Sequence, residues 1–444
     1  MAISSIVLLL SCNLLLLIDV VGAELPPAAL SEARADGDFS RVRARYGPEA
    51  SIFAYVPSWE DKDSELFRPQ TSCAGPDTRC TWEHTFGGVL QDKAYGVVSL
   101  PDDGLVVVGN SRSKRDLEYN AWILRLSRGG KLIWERSFGG SKSDQVYAVA
   151  ATQDGGIAVV GHTRSKGAGQ SDVWLLRLSE TGDLLWERTF GGAQNDRART
   201  IVAMEDGSFV VAGMTRSYGS SQGDAWILKV DNSGDLLWER TFGGDEEYAI
   251  FSIAAMPDSG IIATGYVDEG DSFGFELWVI RLNPQGERLW DRKYGRGVFD
   301  AGTAITATED NGAIVAGVTS KDGFRSDDAW VLRLNASGDI VWDQTFGGPE
   351  PDSAWAVVEM PGTGYAVTIA TLSYGAGSSD AWLICLNDDG RLVWQRIYGG
   401  KLWDRPTTAA RTQDGGLLVA GYTTTIGEGH EDFWLIRLDA RGRF

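Results

Sequence analysis

Six aspartates stand at regular places along this chain: Asp92, Asp144, Asp196, Asp300, Asp352 and Asp404, with Tyr248 where a seventh would fall. Their spacing, 52 residues or a multiple of it, puts each at the same point of a repeated unit. If the units close into a ring, the carboxylates ring the mouth of a central channel, and two chemistries follow. Such a ring could hold a hard cation such as calcium, which prefers oxygen ligands. Alternatively, each Asp bonds the backbone or a neighbouring side chain and fixes the junction between units. Recurrence in six units favours the structural role, because ligand sites usually break symmetry.

The residues just after the ring positions do break it. They read Lys93, Gln145, Arg197, Ala249, Ala301, Ser353 and Arg405. Nearby loops add Arg112, Lys114 and Arg115 in the first unit, Arg164 and Lys166 in the second, and Arg216 in the third. The fourth unit offers Asp245, Glu246, Glu247, Asp268, Glu269 and Asp271 instead. The expectation is a bipolar face, with a basic sector over units seven to three and an acidic sector at unit four. Bidentate Arg contacts would suit an anion such as a uronate or a sulfated glycan, and Tyr218, Tyr374 and Trp403 could stack on sugar rings. The competing reading is a set of ordinary solvated loop charges.

Catalytic signals are sparse. His84, His162 and His430 lack metal-type spacing, so no metal site is expected. Neither a Gly-x-Ser-x-Gly elbow nor a phosphate loop occurs. His430 with Arg405 and Tyr422 is the one set that could serve a polysaccharide lyase, as a base beside an anion-binding residue.

The elements that must position these residues follow from two tryptophan series. One runs Trp82, Trp134, Trp186, Trp238, Trp290, Trp342, Trp394, and the other Trp122, Trp174, Trp226, Trp278, Trp330, Trp382, Trp434, both at intervals of 52. Shared by every repeat, they read as packing between units rather than as a sugar ladder. In the second repeat, runs over Val146 to Thr152, Ile157 to Gly161, Val173 to Leu178 and Leu184 to Phe190 alternate with Gly/Asp turns, the pattern of four short strands. Seven such repeats predict an all-β, seven-bladed β-propeller over 80–444. The last repeat stops at Phe444 without its fourth strand, and Cys80 to Phe86 is an orphan copy of that strand. Joining the two would complete the seventh blade and leave no open edge. A Cys73–Cys80 disulfide would brace the closing strand, whereas Cys385 reads as an inert strand thiol.

The repeat Asp154-Gly155-Gly156, Gly161 to Ser165, Asp172 to Trp174 and Leu185 to Gly192 resembles the TFGG-type propeller repeats of bacterial and archaeal surface and secreted proteins. That resemblance implies the fold and little about function. Leu178 to Trp186 is similar to the tryptophan-docking repeat of quinoprotein dehydrogenases. Those enzymes usually have eight blades and a calcium-quinone site, so the likeness bears on blade geometry more than on redox chemistry.

A net charge of −20 argues against nucleic acid and anionic membrane surfaces as partners. Ile6 to Ile18 is apolar and Val21-Gly22-Ala23 is small, so 1–23 reads as a signal peptide. Leu9 to Cys12 loosely resembles a lipoprotein box. Residues 24–79 read as a linker or N-terminal extension with a short helix around Leu30 to Tyr46. The sequence therefore predicts a monomeric protein, secreted or periplasmic, with no membrane insertion after cleavage and no required cofactor. It would be a non-catalytic binding propeller for a glycan or an extracellular protein. The alternative is a carbohydrate-active enzyme, lyase or hydrolase, using the same loop face.

Overall fold

β-branched and aromatic residues punctuated by Gly/Asp turns fold each repeat into a four-stranded antiparallel sheet. The computed structural model describes residues 80–444 except 115–117, 221, 271–273 and 321–326, together with two strands, Leu15–Asp19 and Ser51–Tyr55, which pair antiparallel. The rest of the expected signal peptide and extension, including Cys73 and the helix expected around Leu30 to Tyr46, lies outside the described residues. Blade two shows the pattern: an inner strand Asp144–Ala151, then Ile157–Thr163, Asp172–Leu178 and an outer strand Leu184–Phe190, paired in chain order. Both middle strands are buried throughout, which is why they read as continuous apolar runs. The inner strand starts two residues earlier than its apolar pattern suggests, because Asp144 pairs with Thr163 and its carboxylate accepts that hydroxyl.

Seven such units occur among the described residues, those of blades four and five joined by one parallel bridge between Phe275 and Phe299. The last holds Asp404–Arg411, Leu417–Thr423 and Asp432–Leu438, and its fourth strand is Trp82–Phe86, with Trp82 opposite Arg437 and Phe86 opposite Phe433. Each inner strand touches the next, and that of blade seven touches that of blade one, Asp92–Ser99. Apolar side chains gather between every consecutive pair of blades, including Trp122 of blade one against Phe433 and Leu435 of blade seven.

The two tryptophan series do different work. Trp174 and its equivalents fill the core against the preceding blade. Trp82, Trp134, Trp186, Trp290 and Trp342 instead donate Nε1 to a turn carbonyl of the following blade, as Trp186 does to Asn232 O at 3.0 Å. The glycine of that turn lies against the indole: a Cβ on Gly182 would sit 3.0 Å from the Trp134 ring, and its φ of +80° favours glycine independently.

A second junction lies inside each blade. Arg177, 2 % exposed, meets both oxygens of Asp154 at 2.6 Å and donates to the Ile157 and Leu178 carbonyls. Arg125–Asp102, Lys229–Asp206, Arg281–Asp258, Arg333–Asp310 and Arg437–Asp414 repeat the pair. Blade six replaces this turn with Pro361-Gly362-Thr363, and the cation with buried Cys385, whose thiol burial pushes up to about 11. Cys80 is disulfide-bonded, and its partner lies outside the described residues.

Candidate functional site

The ring aspartates are structural anchors. Asp144 accepts from Gly140 N at 2.7 Å, Arg164 N at 3.0 Å, Ser165 N at 3.2 Å and Ser165 Oγ at 2.6 Å, besides the Thr163 hydroxyl. Asp196 and Asp404 use both oxygens in the same way. Asp92, Asp300 and Asp352 each hold the backbone of the preceding loop with one oxygen. All six are at most 1 % exposed. Asp144, Asp196 and Asp404 thus have both oxygens occupied, whereas Oδ1 of Asp92, Asp300 and Asp352 has no hydrogen-bond partner; among the described residues no cluster of three or more His, Cys, Asp or Glu is placed to hold a metal ion.

A second carboxylate from the preceding blade adjoins several of these anchors. Asp380 accepts from Ala376 N at 2.9 Å and Gly377 N at 3.1 Å, while its Oδ1 has no partner. Burial, then the nearby charge of Asp404, pushes it up to about 7. Asp432 rises to about 6 through burial, with Asp92 adding to the effect, and Asp172 is raised by burial and then by Asp196. The first glycine of a Phe-Gly-Gly threads this contact: a Cβ on Gly191 would fall 2.2 Å from Asp172 and 2.8 Å from Asp196.

The channel wall is set by a β-bulge in every inner strand. Pairing skips one residue between Ala94 and Gly96, Val146 and Ala148, Ala198 and Thr200, Ile250 and Ser252, Gly302 and Ala304, Ala354 and Ala356, and Pro406 and Thr408. A bulged residue is released from the ladder and its side chain re-aimed. The seven are Tyr95, Tyr147, Arg199, Phe251, Thr303, Trp355 and Thr407, all half-buried. They touch across blades. The Tyr95 and Tyr147 rings lie 5.4 Å apart, Arg199 stands 4.4 Å from the Tyr147 ring, and Thr407 Oγ1 donates to Ala94 O at 2.7 Å.

One layer nearer the loops lie the variable residues expected to line the mouth. Lys93 pairs with Glu431 at 3.1 Å and stands 4.8 Å from the Tyr422 ring. Arg405 lies 4.7 Å from the Trp355 ring, and Gln145 accepts from Tyr147 Oη at 2.5 Å. His162 stacks on Tyr147 at 5.7 Å. Burial, then Arg197, Arg199 and Arg164, hold it well below the usual histidine range, and its Nδ1 is unpartnered. The arc from blade six through seven and one to three is thus cationic and aromatic. Blades four and five face it with Ala249, Phe251, Ala301 and Thr303.

Ion pairing modifies the outer part of the expected basic sector. Lys114 reaches Glu135 at 3.1 Å, Lys166 reaches Glu187 at 2.6 Å, and Arg216 reaches Glu247 at 3.0 Å. Arg112 donates to Gln91 at 3.3 Å over the Tyr119 ring. In the expected acidic sector, Lys293 meets Glu246 at 3.1 Å and Glu269 at 2.6 Å. Tyr218 and Tyr374 are exposed, yet their hydroxyls donate to Gly191 O and Gly347 O and their rings contact Trp226 and Trp382. Trp403 joins blades six and seven through a backbone bridge to Ser379. His430 is exposed, and Arg405 and Tyr422 are cross-strand partners.

Comparison with known proteins bears on this architecture. A puromycin hydrolase structure aligns with a TM-score of 0.50 at 15% identity, over 80% of this chain and 53% of that one. The fold is a β-propeller. The chain matches no protein-family profile. The propeller chain is 28% identical over 200 residues to the regulatory protein FlaEY of Caulobacter vibrioides, covering 41% of this chain and 19% of that protein. It is 29% identical over 135 residues to the outer membrane protein assembly factor BamB of Shewanella oneidensis, covering 30% and 32% respectively. It therefore spans no more than a third of the length of either relative.

At the opposite end of the propeller, a cavity of about 380 Å³ opens between the turns of blades three to six. Met204, Met256 and Pro257 line it together with Glu205, Glu309 and Glu359.

Proposed function

We propose that this chain is a non-catalytic binding propeller, working outside the cytoplasm, whose loop face recognises an acidic glycan. The supporting observation is the run of Lys93, Arg197, Arg199 and Arg405, interleaved with Tyr95, Tyr147 and Trp355, around one side of the channel mouth of a protein carrying −20 net charge. Guanidinium groups stacked on aromatic rings keep their N–H edges for oxyanions, and aromatic rings suit sugar faces. The similarity to BamB supports a quinoprotein-like propeller of the periplasm or cell exterior, and the TFGG-type repeat agrees with it. Native electrophoresis of the purified chain through gels containing polygalacturonate or neutral galactan tests the reading. Retardation by polygalacturonate alone, relieved by salt, is the expected result. Equal mobility in both gels overturns it, and an acidic extracellular protein then becomes the partner to seek.

A further inference from the structure

The bulge ring sets one cation, Arg199, below the mouth layer that carries Lys93, Arg197 and Arg405. Arg199 is unpaired in the ladder, lies over Tyr147, and takes part in no ion pair among the described residues. Arg164 likewise has no ion pair among the described residues. By contrast Lys93, Lys114, Lys166 and Arg216 each have a carboxylate in place. His162, 4 % exposed and stacked behind Tyr147, reports the resulting potential, since Arg197, Arg199 and Arg164 add to burial in keeping it neutral.

Two buried polar atoms beside this arc have no partner: Trp355 Nε1 in the ring itself, and His162 Nδ1 on the second strand of blade two, behind Tyr147. Leaving such a group unsatisfied typically costs about 1–3 kcal/mol, so a ligand hydroxyl gains by meeting Trp355 Nε1 on a small turn of its half-buried ring. The facing wall of blades four and five is small and neutral at the mouth, with Ala249 and Ala301.

We infer that the channel takes the acidic end of the glycan: a carboxylate-bearing pyranose held inside the bulge ring. Arg199, kept in place by Tyr147, receives the carboxylate together with Arg197. Trp355 Nε1 donates to a ring hydroxyl on the opposite side of the same arc. Arg112, Lys114 and Lys166 touch only the sugars that continue beyond the mouth. The inference rests on the acidic-glycan reading and adds to it the location of the recognised unit and its class. An acidic peptide shares the carboxylate but offers no pyranose face to Tyr95, Tyr147 and Trp355 and fewer hydroxyls to Trp355 Nε1, so the sugar is favoured.

Calorimetry with trigalacturonate, trigalactose and hexaglutamate, using the full chain, tests this. Trigalacturonate is expected to bind and the other two are not. Arg199→Gln should weaken trigalacturonate binding about tenfold or more, as expected for a lost charge-assisted bond, and Trp355→Phe about threefold. Arg112→Gln should weaken trigalacturonate binding far less than Arg199→Gln does, while reducing retardation by the polymer. As a check on unsubstituted protein, trigalacturonate should slow phenylglyoxal modification of Arg199, mapped by mass spectrometry, and leave Arg112 unaffected. If the polymer still retards the chain but trigalacturonate fails to protect Arg199, the channel inference fails and the acidic-glycan reading stands. If neither polymer nor trisaccharide binds, both fail. Binding of hexaglutamate in place of trigalacturonate would overturn the sugar assignment.

Discussion

Replacing Asp380 by Asn should abolish a pH dependence that the wild-type protein carries at the junction of blades six and seven. The carboxyl is 1 % exposed, has one oxygen without a partner and faces Asp404. Its folded value of about 7 compares with an ordinary 3.8. The folded state therefore binds this proton more tightly than the unfolded chain. The stability it contributes is complete below pH 4 and is lost as the pH rises through 7. A shift of roughly three pH units corresponds to about 4 kcal/mol over that window. Asparagine keeps an acceptor for Ala376 N and Gly377 N, carries no charge, and already occupies the matching place in blade one as Asn120. Urea unfolding at pH 4.5 and pH 8 measures the effect. The variant should be the more stable protein at pH 8, by up to the full amount, and should come within about 1 kcal/mol of the wild type at pH 4.5. Asp172 and Asp432 add their own slopes, so the decisive quantity is the difference between variant and wild type. Parallel stability curves at the two pH values would refute the reasoning.

Asp154→Ala strips the counterion from buried Arg177. With Asp154 itself 59 % exposed and water able to approach, the cost should be about 2 kcal/mol, below the range for a fully buried pair. Arg177→Met, which removes the charge as well, should cost less in the same urea titration. Trp82→Ala removes a fully buried indole and its bond to Arg128 O, and should destabilise the closing blade by about 3–5 kcal/mol. Limited proteolysis would then show the first new cuts near Asp432–Leu438.

Much of the scaffold was legible because its punctuation is strict. Two tryptophans per repeat, Gly-Gly after six of the seven outer strands and an Asp at the head of six of the seven inner strands mark the blades, and the strands fall within two or three residues of their apolar runs. The anchoring role of Asp144 was likewise readable, since Thr163 and Ser165 recur with it. The site was less legible for two physical reasons. Loop cations such as Lys114, Lys166 and Arg216 meet Glu135, Glu187 and Glu247, carboxylates that are neighbours only once the sheets form. The bulge breaks the two-residue alternation from which facing is inferred, so Tyr95, Tyr147, Arg199 and Trp355 went unmarked. Their signal was present three positions after each ring Asp, as a column of unlike residues in an otherwise uniform repeat. Cys385 became intelligible only when its blade proved to lack the turn aspartate that the other six cations meet.

That column has a further meaning for how such a protein diversifies. Residues in the ladder or between blades answer to two neighbours at once, and they are nearly invariant from repeat to repeat. A bulged residue is released from the ladder and answers only to the bulge of the next blade. Seven codons can therefore drift or be randomised, adjacent ones together where their side chains touch, while the frame that displays them persists, and here they already spell Tyr, Tyr, Arg, Phe, Thr, Trp and Thr. A library confined to these positions would search channel chemistries, cationic, aromatic or neutral, on a fixed chassis, with each choice addressed separately by position around the ring.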